Sequence, residues 1–217
     1  MTSRTSLSGP WRACAVAWAS ISLMSVTACS GGGTPPPGSP PAASQSPSEP
    51  VTPSATPTPT ASYKPADATG KAQNVPVPEL PEAAKAETKE GLEAFARYWF
   101  KELNFAYETG TSSGLESVTS TGCEFCSNIT RSLKTNYAEG RWLVGGHIET
   151  PSLSTTFESQ ADGQYQIAVQ VQQTKITYFD PGGSEFRKPT PPSDTGNVML
   201  AAFKNGAWQI TALHPLR

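Results

Sequence analysis

Prolines are concentrated in one stretch of this 217-residue chain, and that stretch limits how much of the chain can fold. Fourteen of the 21 prolines lie between Ser30 and Ala84, among Gly, Ser, Thr and Ala residues, with Tyr63 as the only aromatic residue. Such a composition has too little apolar surface to offset the conformational entropy that folding costs. We therefore expect residues 29–84 to form a disordered linker and residues 85–217 to form one domain.

The first 28 residues are typical of a secretory signal peptide. Arg4 and Arg12 precede an apolar run at residues 13–26, which is shorter than the roughly 20 residues that a membrane-spanning helix needs. Small residues stand immediately before Cys29, so the cut site resembles a bacterial lipobox. We expect the mature chain to start at Cys29, to carry acyl chains such as palmitate there, and to sit on the extracytoplasmic face of the cell membrane. An ordinary signal peptide or an uncleaved anchor remains the alternative.

The charge balance bears on the partners of the domain. Removal of Arg4 and Arg12 leaves 14 basic and 18 acidic side chains, and no basic patch stands out. This balance argues against nucleic acid as a partner and against a charge-driven attachment to anionic lipid, so that the lipid at Cys29 is the expected link to the membrane. The sequence leaves the oligomeric state open.

Two of the four cysteines remain in the predicted domain. Cys14 leaves with the signal peptide and Cys29 takes the lipid, so Cys123 and Cys126 are expected to form a disulfide outside the cytoplasm. A capping box at Thr121–Glu124 predicts that a helix starts here, which suits the bond geometry. The alternative is a thiol-disulfide oxidoreductase, since a helix N-terminus lowers a thiol pKa. The surrounding elements lack the βαβ context of such enzymes, which favours a structural bond.

Apolar periodicity predicts three helices at the start of the domain. The first covers Thr88–Thr109 and is stopped by Gly110, the second covers residues 113–120, and the third covers residues 122–138. In the third helix the residues expected to face the core follow a four-residue spacing: Phe125, Ile129, Leu133 and Tyr137.

Strands are predicted after the helices. Residues 141–157 form a strand bent at Gly145–Gly146 and Pro151, and residues 164–179 form a strand whose alternation changes phase near 172–174, which indicates a bulge or coil. Residues 180–196 are expected to form a mobile loop, or else a contact loop. A two-residue Asn205–Gly206 turn then predicts a hairpin. Its core-facing cross-strand pairs are Phe203 with Trp208, Ala201 with Ile210, and Met199 with Ala212.

These elements predict an α+β domain in which three N-terminal helices pack on a curved antiparallel sheet of about four strands. Their order resembles the cone of the nuclear-transport-factor-like (cystatin-like) fold. Several motifs also resemble a family of secreted actinobacterial lipoproteins built on a domain of unknown function: EGLEAFARYW at 90–99, LNFAYETG at 103–110, CEFC at 123–126, YAEG at 137–140, and the Gly145–Gly146 pair. The resemblance implies a location and a fold, but no activity, substrate or catalytic residue.

No catalytic constellation, metal-ligand cluster or phosphate-binding loop has recognisable spacing, so we assign no catalytic residue, metal or cofactor. His147 follows the Gly-Gly bend and His214 lies near the C-terminus, and both are more typical of structural or surface positions. Three hypotheses remain. The first is a non-enzymatic binding or envelope-interaction module, with a small apolar ligand or an envelope protein as its partner. The others are the oxidoreductase and a cyclase- or isomerase-like enzyme that uses His147 or a buried carboxylate.

Overall fold

The computed structural model of the chain describes residues 61–216. The predicted signal peptide at residues 1–28, Cys29 and the first part of the predicted linker lie outside the described residues. The α+β class and the antiparallel pairing are confirmed. A short 3-10 helix at Glu82–Lys85 precedes these elements: α1 (Lys89–Thr109), α2 (Ser113–Ser117), α3 (Glu124–Tyr137), β1 (Trp142–Gly145), β2 (Ile148–Glu149), β3 (Leu153–Ser154), β4 (Gln164–Gln173), β5 (Ile176–Phe179), β6 (Glu185–Thr190), β7 (Ser193–Lys204) and β8 (Ala207–Pro215).

The three helices lie in the middle of the chain, and further packed residues precede them. In α1 the side-chain oxygen of Thr88 accepts a hydrogen bond from Gly91 N at 3.0 Å, which satisfies a free backbone donor of the first turn. Gly110 ends the helix with a φ of 76°, the left-handed conformation that glycine adopts without steric cost. Both ends of α1 therefore follow from local sequence.

Helix α3 begins later than the predicted capping box requires. Its N-cap is Cys123, whose Sγ accepts a hydrogen bond from Cys126 N at 3.3 Å. The role predicted for Thr121 is wrong, because the disulfide partner of Cys126 already occupies the capping position.

Eight strands form two antiparallel sheets, so the expectation of about four strands in one sheet is wrong. One sheet has the order β1-β5-β6, and the other has the order β2-β4-β7-β8, with β3 also paired to β4. The chain crosses between the sheets at residues 146–147, 174–175 and 191–192. The first two crossings lie side by side, because Gly146 N donates to Lys175 O and Thr174 N donates to His147 O. At these two neighbouring breaks the chain passes from one sheet to the other, so that no strand continues across both sheets.

The expectation of a mobile loop at residues 180–196 is also wrong. This segment holds β6 and the start of β7. The Arg187 guanidinium lies 4.2 Å from the centroid of the Tyr178 ring, and the Phe186 ring meets the same ring edge-on at 6.0 Å. These contacts with β5 hold a segment whose prolines suggested a loop.

The last hairpin has the predicted two-residue turn, with a φ of 53° at Asn205 and 78° at Gly206. Two of its three predicted pairs are present, Phe203 with Trp208 and Ala201 with Ile210. The third prediction is wrong because a bulge at Thr211 shifts the register, so that Met199 pairs with Leu213 and Ala212 pairs with Leu200.

The folded region begins earlier than the predicted boundary at residue 85. The Trp142 indole N–H donates to Asp67 O at 2.8 Å, and the Tyr63 hydroxyl donates to a carboxylate oxygen of Glu108 at 3.2 Å. Ala84 is buried in the core. Residues 61–84 are therefore packed against the domain, which corrects their assignment to the linker.

The main core lies between α1 and the five-stranded sheet, and its fully buried large side chains include Phe95, Trp99, Ile167, Met199 and Ile210. Asn104 of α1 binds β2, which lies at one edge of the five-stranded sheet. Its amide accepts from Ile148 N and donates to Ile148 O, both at 2.8 Å, so that it pairs with β2 as a neighbouring strand would.

Candidate functional site: a cleft beside helix α3

An apolar cleft separates α3 from β1 and β5. Its volume is about 260 Å³, close to the lower limit of roughly 300 Å³ for small-molecule sites. The apolar walls consist of Phe125, Ile129, Leu133, Leu143 and Ile176, and the polar groups come from Tyr107, Asn128, Ser132, Asn136 and Tyr178. Apolar walls with a few convergent polar groups are the usual composition of a ligand site.

The polar residues of α3 form one stripe along the cleft. Asn128, Ser132 and Asn136 follow each other at four-residue spacing, which places them on one face of the helix. The Asn136 amide donates to Ser132 Oγ at 3.2 Å, and its Oδ1 accepts from Arg187 at 3.1 Å. Asn136 is buried, whereas Ser132 and Asn128 are exposed. The stripe thus runs from a fixed amide at one end to open polar groups at the other.

Two tyrosines contribute the remaining polar groups. Burial raises the pKa of Tyr107 above its ordinary value, which keeps the phenol protonated and able to donate a hydrogen bond. The Tyr178 hydroxyl shares a hydrogen bond of 2.7 Å with Thr190 Oγ1, which fixes its ring on β5. The Tyr107 phenol is therefore a neutral hydrogen-bonding group, and the Tyr178 ring is held in place by Thr190.

Phe125 lies at one end of the cleft and departs from the sequence prediction. Its four-residue spacing with Ile129 and Leu133 predicted a core position, but 40% of its surface is exposed and Ile129 is only half-buried. Leu133 alone is fully buried among these three. The face of α3 that carries Phe125 and Ile129 is therefore only partly covered, and the cleft lies beside it.

The predicted disulfide is present next to this end of α3. The Cα atoms of Cys123 and Cys126 are 5.3 Å apart, and the two residues are only 1% and 2% exposed. An exchange partner must reach a sulfur atom directly, so burial of both sulfurs favours a structural role over a catalytic one.

Neither histidine enters the cleft. His147 is exposed at the rim of two wider and more open grooves, and His214 is exposed on β8. Asp194 lines one of these grooves, where hydrogen bonds from Gln170 and Gln172 hold the pKa of its carboxyl below the usual range. The position of His147 gives no support to its role as a base inside a closed cavity.

The cyclase hypothesis requires a buried carboxylate inside the cavity. Glu102 is buried, but it lies outside the cleft. It is 4% exposed on α1 and accepts a hydrogen bond from the Tyr98 hydroxyl at 2.6 Å. Burial, reinforced by Glu102, raises the pKa of Tyr98 to about 12. The Glu102 carboxylate packs against Gly114 at the start of α2 and does not line the cleft.

The family model described as "Family of unknown function (DUF6318)" matches residues 61–214. The chain belongs to the DUF6318 family. The match begins at residue 61, the first residue that the structure describes. The curated protein sequences contain no match to the chain.

Several solved structures share features of the DUF6318 domain. The intermembrane space region of the chloroplast protein ARC6 has 14% identity and a TM-score of 0.42, with 59% of this chain and 96% of that one covered. Aln2 from a Streptomyces species has 10% identity and a TM-score of 0.39, covering 58% and 90%. An uncharacterised Caulobacter vibrioides protein with a cystatin-like fold has 14% identity and a TM-score of 0.36, covering 56% and 87%.

Within residues 61–216, no three His, Cys, Asp or Glu side chains are grouped so that they could hold a metal ion. In the same range, no helix is both long and apolar enough to cross a membrane.

The sequence predicts core positions for the apolar α3 residues of the DUF6318 cleft, Phe125, Ile129 and Leu133, but the polar stripe was not predicted. The signal was present, since Asn128, Ser132 and Asn136 repeat at the spacing of the apolar residues. Their cleft position depends on how α3 packs beside β1 and β5, and that packing is a tertiary property.

Proposed function

We propose that this DUF6318 domain is a non-enzymatic binding module that holds a small, largely apolar ligand in the cleft beside α3. The observation that carries the proposal is the composition of the cleft, where apolar walls meet a stripe of uncharged hydrogen-bonding side chains. Burial of the apolar part of a ligand supplies affinity, and the polar stripe supplies orientation.

The distribution of reactive groups supports binding over catalysis. The cleft-lining residues are aliphatic, aromatic, hydroxyl or amide in character, whereas general acid-base chemistry usually needs a His or carboxyl group within hydrogen-bond reach of the reacting atom. The buried disulfide and the exposed position of His147 likewise give little support to the two enzymatic alternatives.

The proposal also covers where the domain lies in the cell and the kind of bacterium it comes from. The lipobox-like sequence before Cys29 supports a lipid anchor that holds the domain on the extracytoplasmic face of an actinobacterial cell membrane. The Pro-rich stretch between Cys29 and residue 61 would separate the domain from the lipid surface. A cone-like fold, in which helices cover one side of a curved sheet, would place the cleft between these layers.

A cleft-filling variant tests the binding function. Ser132 is exposed and lines the cleft, so Ser132→Phe should occupy the ligand volume; it also removes the hydroxyl that accepts from the Asn136 amide. We expect the chain to bind decanol in isothermal titration calorimetry and the variant to lose that binding. Native mass spectrometry of the protein from its own host should show a retained small ligand in the parent and none in the variant.

Thr135→Phe is the matched control, because Thr135 is exposed on the same helix but lies outside the cleft. The control should bind decanol as the parent does. Equal binding by the two variants, or absence of decanol binding and of any retained ligand in the parent, would show that the cleft is not a binding site.

A further inference from the structure

Arg187 lies beside the cleft and contacts two of the residues that line it. Its Nη1 donates to Asn136 Oδ1 at 3.1 Å, and its guanidinium carbon lies 4.2 Å from the centroid of the Tyr178 ring. Asn136 and Tyr178 both line the cleft and both are buried. The two contacts restrict the side chain, so the charge is held next to the cleft even though Arg187 itself is exposed.

This charge is not neutralised by a neighbouring carboxylate among the described residues. The ion pairs formed within residues 61–216 leave Arg187 out. The nearby Arg141, stacked on Phe186, is paired with Glu139 instead. The last turn of α3 contributes a partial negative charge of about half an elementary charge, which is smaller than the full charge of the guanidinium. Among residues 61–216 the Arg187 charge therefore has no ion-pair partner beside the cleft.

The guanidinium also has hydrogen-bonding capacity to spare. An arginine carries five N–H donors, and Arg187 has one side-chain hydrogen bond within residues 61–216, to Asn136. Its planar fork suits a carboxylate or phosphate, which can accept two parallel hydrogen bonds. Next to this donor edge the cleft becomes apolar, with Leu133, Leu143 and Ile176 in its walls.

We propose that the ligand of the cleft is a free single-chain amphiphile with an anionic head group, whose carboxylate or phosphate binds Arg187 and whose chain lies along the apolar walls. This inference rests on the proposed binding function and names its ligand class. A volume of about 260 Å³ holds one short or medium chain and is too small for a two-chain lipid.

Arg131 is another cation near the cleft, and it is a weaker candidate than Arg187. Its Nη1 donates to Asn128 Oδ1 at 3.1 Å, but both residues are exposed and lie three positions apart on α3. No aromatic stack restricts it within the described residues. A mobile exposed charge contributes less to binding than one that is already held in place.

Head-group preference tests the inference. Binding of decanoate, decyl phosphate, decanol and decyltrimethylammonium to the whole chain is measured by calorimetry at low and high salt. We expect the two anionic probes to bind about five- to tenfold more tightly than decanol at low salt, and the cationic probe to bind more weakly than decanol. The preference should shrink at high salt, because Arg187 is exposed to screening.

Arg187→Gln should abolish the anionic preference, so that decanoate and decyl phosphate bind no more tightly than decanol does. Lys188→Gln is the matched control, since it removes one positive charge at the next position of β6, which is likewise exposed. This control and Arg131→Gln should both retain the preference.

Equal affinity of the parent for decanoate and decanol would overturn the inference while the cleft remained a binding site. Absence of binding by all four probes would instead refute the binding function itself. Pelleting of the chain with phosphatidylglycerol vesicles, lost in Arg187→Gln and without decanoate binding, would also overturn the inference, because the charge would then serve a membrane surface.

Discussion

Removal of the disulfide at the start of α3 should weaken the domain moderately and leave its fold in place. Cys123 and Cys126 are buried and close a ring of only four residues. The double variant Cys123→Ala with Cys126→Ala removes this ring and the sulfur that caps the helix. The size of the resulting loss of stability distinguishes a bond that stabilises only the start of α3 from one that the whole domain needs in order to fold.

The expected magnitude follows from two contributions. Loop-closure entropy for a four-residue ring corresponds to about 2 kcal/mol at 25 °C. The cap contact from Cys126 N to Cys123 Sγ is 3.3 Å long, and because sulfur is a weak acceptor its loss should cost about 0.5 kcal/mol. We therefore expect the free energy of unfolding to fall by about 2–3 kcal/mol.

A second double variant separates these contributions. Cys123→Ser with Cys126→Ala also lacks the bond, but the serine hydroxyl can cap α3. It should be about 0.5–1 kcal/mol more stable than the double alanine variant. Urea unfolding followed by circular dichroism measures both differences. Unchanged stability in the double alanine variant, or a loss above about 5 kcal/mol with collapse of the α+β spectrum, would refute the reasoning.

Three further predictions concern other parts of the chain. Cys29→Ser should release the protein from the membrane fraction or stall its processing, and cell fractionation would contradict the lipid anchor if retention and processing were both normal. Asn104→Ala should cost about 2–4 kcal/mol in urea unfolding, because both backbone groups of buried Ile148 lose their side-chain partner; a loss under about 1 kcal/mol would mean that water replaces it. Trp142→Phe removes the donor to Asp67 O and should speed proteolysis within residues 61–84, whereas an unchanged cleavage pattern would show that this segment is held otherwise.

The helices were predictable because their signals are local. Thr88 and Gly110 fix the two ends of α1 through contacts within one turn, and the apolar spacing between them identifies the buried face. The start of α3 was misplaced because Cys123 competes with Thr121 for the capping role. That competition depends on a covalent bond which capping statistics do not include.

The packed segment before α1 could not be predicted from composition. Two indole N–H groups hold it, from Trp142 to Asp67 O and from Trp208 to Ala86 O. A backbone carbonyl can accept such a bond whatever its side chain is, so the segment needs no apolar pattern of its own. The Pro-rich sequence therefore resembled a linker up to residue 84.

Strand β6 was missed for a related reason. Its sequence does not alternate cleanly between apolar and polar residues, since Phe186 is followed by Arg187 and Lys188. The strand is stabilised by aromatic and cation–π contacts with Tyr178, which lies on a different strand. Arg187, on which the proposed ligand class depends, thus fell within a segment expected to be a loop.

Gly146 lies where the chain crosses between the two sheets, and two of the residues that line the cleft pack against it. Gly146 has a φ of 78°, and a Cβ atom there would lie 3.1 Å from Ile176 Cγ1 and 3.2 Å from Tyr107 Cδ1. Both of these residues line the cleft. The glycine therefore allows the backbone to turn and also lets two cleft residues pack directly against that turn. The Gly145–Gly146 pair, which the sequence identified as a bend, thereby links the break in the strands to the shape of the site.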